Sequence, residues 1–171
     1  MFVCNNIVKK KYKGSMNIKI IAVGKIKEKY LEDAIDEFAK RLSGFCSFSI
    51  VEIPAEAIKD ENLAQKYMQT EAEKIIAQIK PQSFVITMEI EGKELSSTDF
   101  AQKLKQLSNE GHNEIIFIIG GANGLHSSVK NLSNFKLSMS KMTFPHQIAR
   151  LNLAEQIYRA FKINNNEAYH R

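Results

Sequence analysis

The run Ile115-Ile116-Phe117-Ile118-Ile119 is the feature that most limits how this chain can fold. Consecutive large apolar residues, mostly β-branched, leave no polar face for water. Such a strand is stable where both faces of its sheet are covered, as in parallel sheets flanked by helices. The run ends in Gly120-Gly121-Ala122-Asn123-Gly124. A glycine-rich turn at the carboxyl end of a buried strand is where open α/β sheets hold anionic or nucleotide-like ligands.

Strand and helix signals alternate around that run. Strands are expected over residues 18–23, 48–53, 84–88 and 135–138, besides 115–119. Helices are expected over 31–42, 61–79, 100–107, 127–132 and 146–163. Leu31, Ile35, Phe38 and Leu42 recur at helical spacing. Pro54 ends a strand, and Pro81 stops a long charged helix. Ser96-Ser97-Thr98-Asp99 offers a capping box, and Gly111 ends the helix it starts. The pattern predicts an α/β fold with a mostly parallel sheet and helices on both faces. A length of 171 residues fits one domain. Residues 1–15 read as an N-terminal extension expected to be disordered, and residues 16–171 as the domain.

The net charge of +5 is unevenly spread. Residues 1–15 carry +4, residues 16–135 carry −3, and residues 136–171 carry +4. Positive ends suggest a polyanion facing one region; solvated charges are the plainer reading. No apolar run approaches the roughly 20 residues of a membrane helix. Asn5 and Asn6 interrupt the short apolar start, so it does not read as a signal peptide, and a cytoplasmic location is expected. Cys4, Cys46 and four scattered histidines show no ligand spacing. A metal-free site is therefore expected.

Several motifs remain, most with two readings. The Gly120 loop has neither the spacing of a dinucleotide fingerprint nor that of a P-loop. It is a tight turn or a ligand loop, and its place after the most apolar strand favours the ligand loop. Met139-Ser140-Lys141-Met142-Thr143-Phe144-Pro145 is a core-lining loop or an apolar slot for a flat ligand. The last helix carries Ile148, Leu151, Leu153, Ile157 and Phe161 on more sides than one core face requires, which predicts self-association. Glu155 and Arg159 are spaced for a helix-surface ion pair. His112 and His126 read as surface residues, and His146 as a cap or supporting hydrogen-bonding group. Tyr169-His170-Arg171 is a frayed end or a tail folded back onto a site.

Taken in order, several segments carry a resemblance. They are Met16-Asn17-Ile18-Lys19-Ile20-Ile21-Ala22-Val23-Gly24, Val51-Glu52-Ile53-Pro54-Ala55, Ile119-Gly120-Gly121, Thr143-Phe144-Pro145-His146, Ala154-Glu155, Tyr158-Arg159-Ala160 and Tyr169-His170-Arg171. Over residues 16–171 the chain resembles the SPOUT-class (trefoil-knot) methyltransferases, and within them the ribosomal large-subunit methyltransferase H family. The resemblance implies a C-terminal trefoil knot and a homodimer with a shared site. It implies methyl transfer from S-adenosylmethionine to N3 of a pseudouridine in large-subunit (23S) ribosomal RNA, on assembled ribosomes. It places Met88, Gly120, Met139, Ser140, Lys141, Met142, Thr143 and Phe144 at the cofactor. It places Arg159, Tyr169, His170 and Arg171 at the reacting base. The chain departs from the family pattern at Lys141 and Ala168.

Removal of the N3 proton calls for a base or for positive groups that stabilise the deprotonated ring. Arg159 and Arg171 suit the second role, His170 the first, and Tyr169 can stack on the base. The sequence does not select the base among them. Two other readings stand beside this one. One is a non-catalytic nucleotide- or RNA-binding α/β module. The other is a SPOUT methyltransferase acting on transfer RNA, against which the short length argues.

Overall fold

The computed structural model describes residues 16–56 and 61–169. Five strands, β1 (Asn17–Val23), β2 (Ser47–Ile53), β3 (Phe84–Glu94), β4 (Glu114–Ile119) and β5 (Phe135–Ser138), form one sheet in the order β2-β1-β4-β3-β5. Every strand pair is parallel. The helices are α1 (Lys29–Leu42), α2 (Ala64–Ile76), α3 (Ser97–Asn109), α4 (Ser127–Lys130) and α5 (His146–Asn164).

The IIFII run is the heart of β4, which is buried along its whole length between β1 and β3. Its alternate residues divide the core. Ile115, Phe117 and Ile119 join Ile18 and Ile20 against Phe100 and Leu104 of α3 and Leu153 and Ile157 of α5. Ile116 and Ile118 join Ile21 and Val23 against Ala72 and Ile75 of α2 and Val129 of α4. α1 packs beside α5 on the first of these faces. Helices thus cover both faces, as a strand with no polar side requires.

Two elements differ from the sequence reading. α2 stops at Ile76 rather than Ile79, because Gln78 and Ile79 donate their amides to Ile75 O and Ile76 O in tighter turns before Pro81. A separate 3₁₀ turn, Glu61–Leu63, precedes it. β3 continues six residues past Met88, to Glu94, where the sequence pattern ends the strand. Met88 and Lys93 both lie opposite Leu137, so the residues between them bulge out of the ladder. Polar residues in the bulge break the apolar pattern, which hid the extension. The α3 cap is formed by half of the expected capping box: Ser96 Oγ accepts the Asp99 amide at 3.1 Å, while the Asp99 carboxylate accepts from Ser96 Oγ at 2.7 Å.

β5 lies at one edge of the sheet, yet α5 starts beside the end of β1. The link over residues 139–145 therefore crosses the carboxyl ends of β3 and β4. That path lays the Met139–Pro145 segment over the edge where parallel sheets hold ligands.

The bulge in β3 depends on Gly92. A Cβ there would lie 2.8 Å from the Leu137 carbonyl carbon and 2.9 Å from the Lys136 carbonyl group. Gly92→Ala is expected to cost about 1–3 kcal/mol in urea unfolding, as overpacking against backbone does. Gly44→Ala, where the nearest atom is 3.7 Å away, should stay within about 0.5 kcal/mol.

Candidate functional site

A cleft of about 310 Å³ opens at the carboxyl ends of β3 and β5. Leu95, Phe100, Leu137, Met139, Phe144 and Leu153 form its apolar wall. Ser97, Glu155 and Gln156 supply polar groups at one side, where Ser97 Oγ donates to Gln156 Oε1 at 2.8 Å. The volume and the mixture of apolar wall and a few polar groups suit a small organic ligand.

The residues expected at a cofactor divide into three sets. Met139 and Phe144 line the cleft. Ser140, Lys141, Met142 and Thr143 form the turn between them. There Ser138 Oγ donates to Ser140 O at 3.1 Å, and Ser140 Oγ accepts the Met142 amide at 3.0 Å. Lys141, Met142 and Thr143 are exposed, and Met142 is open to solvent over 73% of its surface. Met88 and Gly120 do not line the cleft. Met88 packs into the core opposite Leu137. Gly120 immediately precedes a tight turn in which the Gly124 amide donates to Gly121 O at 3.0 Å. A Cβ at Gly120 would meet the Gly124 carbonyl carbon at 2.6 Å, so the turn itself requires glycine there. Gly124 supplies the left-handed conformation, φ 79°.

The end of the chain folds back, as far as it is described. Asn166 takes the left-handed conformation, φ 56°, just beyond α5, and the Glu167 amide returns to Lys162 O at 2.9 Å. The reversal sets Tyr169 against α5. Its hydroxyl donates to Glu155 Oε1 at 3.0 Å, and its ring meets Tyr158 edge-on at 5.0 Å. The Arg159 guanidinium lies 4.8 Å from the Tyr169 ring centre and donates from Nε to Glu155 Oε1 at 3.0 Å. Glu155 thus lines the cleft while holding both Arg159 and Tyr169. Burial, then the Glu155 carboxylate, raises the Tyr169 phenol pKa. The bond to Glu155 raises that of Arg159. His170 and Arg171 lie outside the described residues.

Arg150, noted in the sequence beside Glu155 and Arg159 but given no role there, is fully buried. Its Nη2 donates to Val23 O and Gly24 O, each at 2.8 Å, and its Nη1 donates to Glu52 Oε1 at 2.9 Å. The signal was its place in the buried stripe of α5, three and four residues before Leu153 and Ala154 and seven before Ile157. His146 starts α5 against Gly24. Burial, then the charges of Arg150 and Lys27, lowers its pKa below the ordinary 6.5. His112 and His126 are more than surface residues. His126 Nδ1 accepts the Ser128 amide at 3.3 Å to cap α4, and the His112 ring packs 4.9 Å from that of Phe84. Among the described residues no His, Cys, Asp and Glu group could hold a metal ion, and no helix is long and apolar enough to cross a membrane.

Arg150→Ala strands two carbonyls and Glu52, and should cost about 3 kcal/mol of unfolding free energy. Arg150→Lys should recover little, because one ammonium cannot reproduce the planar fork. His146 binds protons more weakly folded than unfolded, so it contributes stability above its ordinary pKa that is lost as pH falls through the lowered value. Unfolding curves between pH 7 and 5 should show a shallower acid-side loss in His146→Gln than in the parent.

Comparison with known proteins agrees with this architecture. A family model described as "Predicted SPOUT methyltransferase" matches residues 16–170. The structure of "a probable methylase family protein" from Haemophilus influenzae Rd KW20 has the same fold, with a TM-score of 0.53 at 15% identity, over 91% of this chain and 71% of that one. The SpoU methyltransferase AviRb from Streptomyces viridochromogenes, solved in complex with the cofactor AdoMet, matches at a TM-score of 0.47 and 12% identity, over 92% of this chain and 63% of that one. The match over nearly the whole described chain makes this protein a member of the SPOUT methyltransferase family.

Proposed function

We propose that the protein transfers a methyl group from S-adenosylmethionine to N3 of a pseudouridine in large-subunit ribosomal RNA, on assembled ribosomes. The observation that carries this reading is Glu155, which lines a nucleoside-sized cleft and holds Arg159 and Tyr169 beside it. Family membership supports the methyl transfer, and the segments from Thr143-Phe144-Pro145-His146 to the Tyr169 tail support the ribosomal substrate.

The cleft fits the cofactor. Met139, Phe144 and Leu137 offer an apolar slot for a purine ring, and Glu155 and Gln156 offer acceptors for sugar hydroxyls. The cofactor supplies an electrophilic methyl carbon. The chain orients the two partners and manages charge. As the N3 proton leaves, negative charge grows on the ring, and the Arg159 guanidinium is assigned to offset it. Tyr169 presents an aromatic face for a base to stack on. His170 is assigned the proton, since a neutral imidazole is a competent base near pH 7. Arg171 is assigned a phosphate. The site is completed by a second copy of the chain, for which the half-buried Ile148, Leu151 and Phe161 of α5 provide apolar surface.

Calorimetry should detect one S-adenosylmethionine per chain without added metal; no binding at millimolar cofactor leaves only a non-catalytic module. Deleting residues 169–171 should leave that affinity nearly unchanged and slow ribosome methylation by roughly 10²–10⁴-fold, the worth of general acid–base groups. A deleted protein working at the parent rate would reduce the tail to a structural clasp. Light scattering should give a dimer at micromolar concentration, and a fully active monomer would refute the shared site. Mass spectrometry of ribosomal RNA nucleosides from cells with and without the protein identifies the methylated base.

A further inference from the structure

The loop between β1 and α1 is fixed through its backbone while its two lysines are left without acidic partners. The Gly24 amide donates to Ile53 O at 2.7 Å, the Ile26 amide to Glu52 Oε1 at 2.9 Å, and the Lys27 amide to Gln147 Oε1 at 3.1 Å. Arg150 holds the loop from beneath through Val23 O and Gly24 O. Lys25 and Lys27 are both exposed, and neither forms an ion pair among the described residues. Their neighbour Lys29 is different, pairing with Asp33 at 2.7 Å and Glu32 at 3.4 Å. Lys80 and Lys130 are likewise paired, with Glu114 and Glu91.

We propose that Lys25 and Lys27 form a phosphate seat for the RNA substrate, on the same edge of the sheet as the cleft. The proposal rests on the RNA reading above and adds a contact site to it. Three features support the seat. First, both the loop and the cleft lie at the carboxyl ends of parallel strands, joined by the residues 139–145 link that runs into His146 beside Gly24. Second, the backbone is already ordered, so binding a phosphate there costs side-chain freedom alone. Third, neither lysine is held by a carboxylate among the described residues. Glu52, whose carboxylate accepts the Ile26 amide, is paired with the buried Arg150, and exposed Glu28 pairs with neither lysine. A solvated lysine pair is the plainer alternative, and the two readings differ in salt dependence, because only phosphate contacts release counterions.

The experiment compares the full-length parent with the double variant Lys25→Gln/Lys27→Gln and a charge-matched control, Lys66→Gln/Lys105→Gln. Methylation of assembled ribosomes is followed across a salt series, and S-adenosylmethionine affinity is measured in parallel. The loop variant should raise KM, leave kcat and cofactor affinity unchanged, and flatten the log–log salt slope by about 1.5, near 0.7–0.9 for each phosphate. The control should follow the parent, and Lys25→Arg/Lys27→Arg should restore the slope. A loop variant with the parent's or the control's slope and KM overturns the seat. So does a loss of cofactor affinity, which would assign the lysines to the cleft. A parent that neither binds nor methylates ribosomes overturns the RNA reading, and the seat falls with it.

Discussion

The Arg150 guanidinium lies at the carboxyl end of β1 among Val23 O, Gly24 O and the Glu52 carboxylate. Removing a full charge from water is costly, and burial does pull the Arg150 pKa down. The charge ties two strands and a loop to α5, alongside the bond from the Lys27 amide to Gln147 Oε1. A hydrophobic residue could fill the space but could not bind three acceptors at once. The positions of the β1–α1 loop and the start of α5 follow from this one group. The Met139–Pro145 link follows as well, being fixed at β5 on one side and at α5 on the other.

Much of the fold was legible because its signals are local. The IIFII run specified a doubly covered strand, and β4 is buried throughout. The boundary at His146 and the four-residue β5 were readable from Pro145 and from the apolar pattern at Phe135 and Leu137. The extension of β3 was not readable, since the ladder resumes after a bulge whose register depends on a distant strand. The role of Arg150 was hidden for a related reason. A charged residue inside an apolar stripe reads as an imperfection until its partners on β1 and β2 are known.

The site shows the same division. Met139 and Phe144 were visible as apolar residues in a loop and do line the cleft. Leu95, Phe100 and Leu153 complete the wall but look like ordinary core residues, because their role arises where three elements meet. Gly120 looked like a residue that admits a ligand, yet the nearest neighbour of its missing side chain is the Gly124 backbone. The fold-back of Tyr169 depends on two things no local pattern displays, a left-handed Asn166 and an acceptor fourteen residues earlier.

The place of α5 also bears on how the molecule is made. Leu153, Ala154, Ile157 and Ala160 complete the cluster that covers one face of β1 and β4, although α5 follows every strand in the chain. Until that helix leaves the ribosome, Ile18, Ile20, Ile115 and Phe117 have an open side. A growing chain of this design carries an uncovered apolar sheet face until α5 has emerged, at a translation rate of roughly 5–20 residues per second. Completion of this core therefore waits for α5, and until then the open face of β1 and β4 is a surface on which growing chains can associate wrongly.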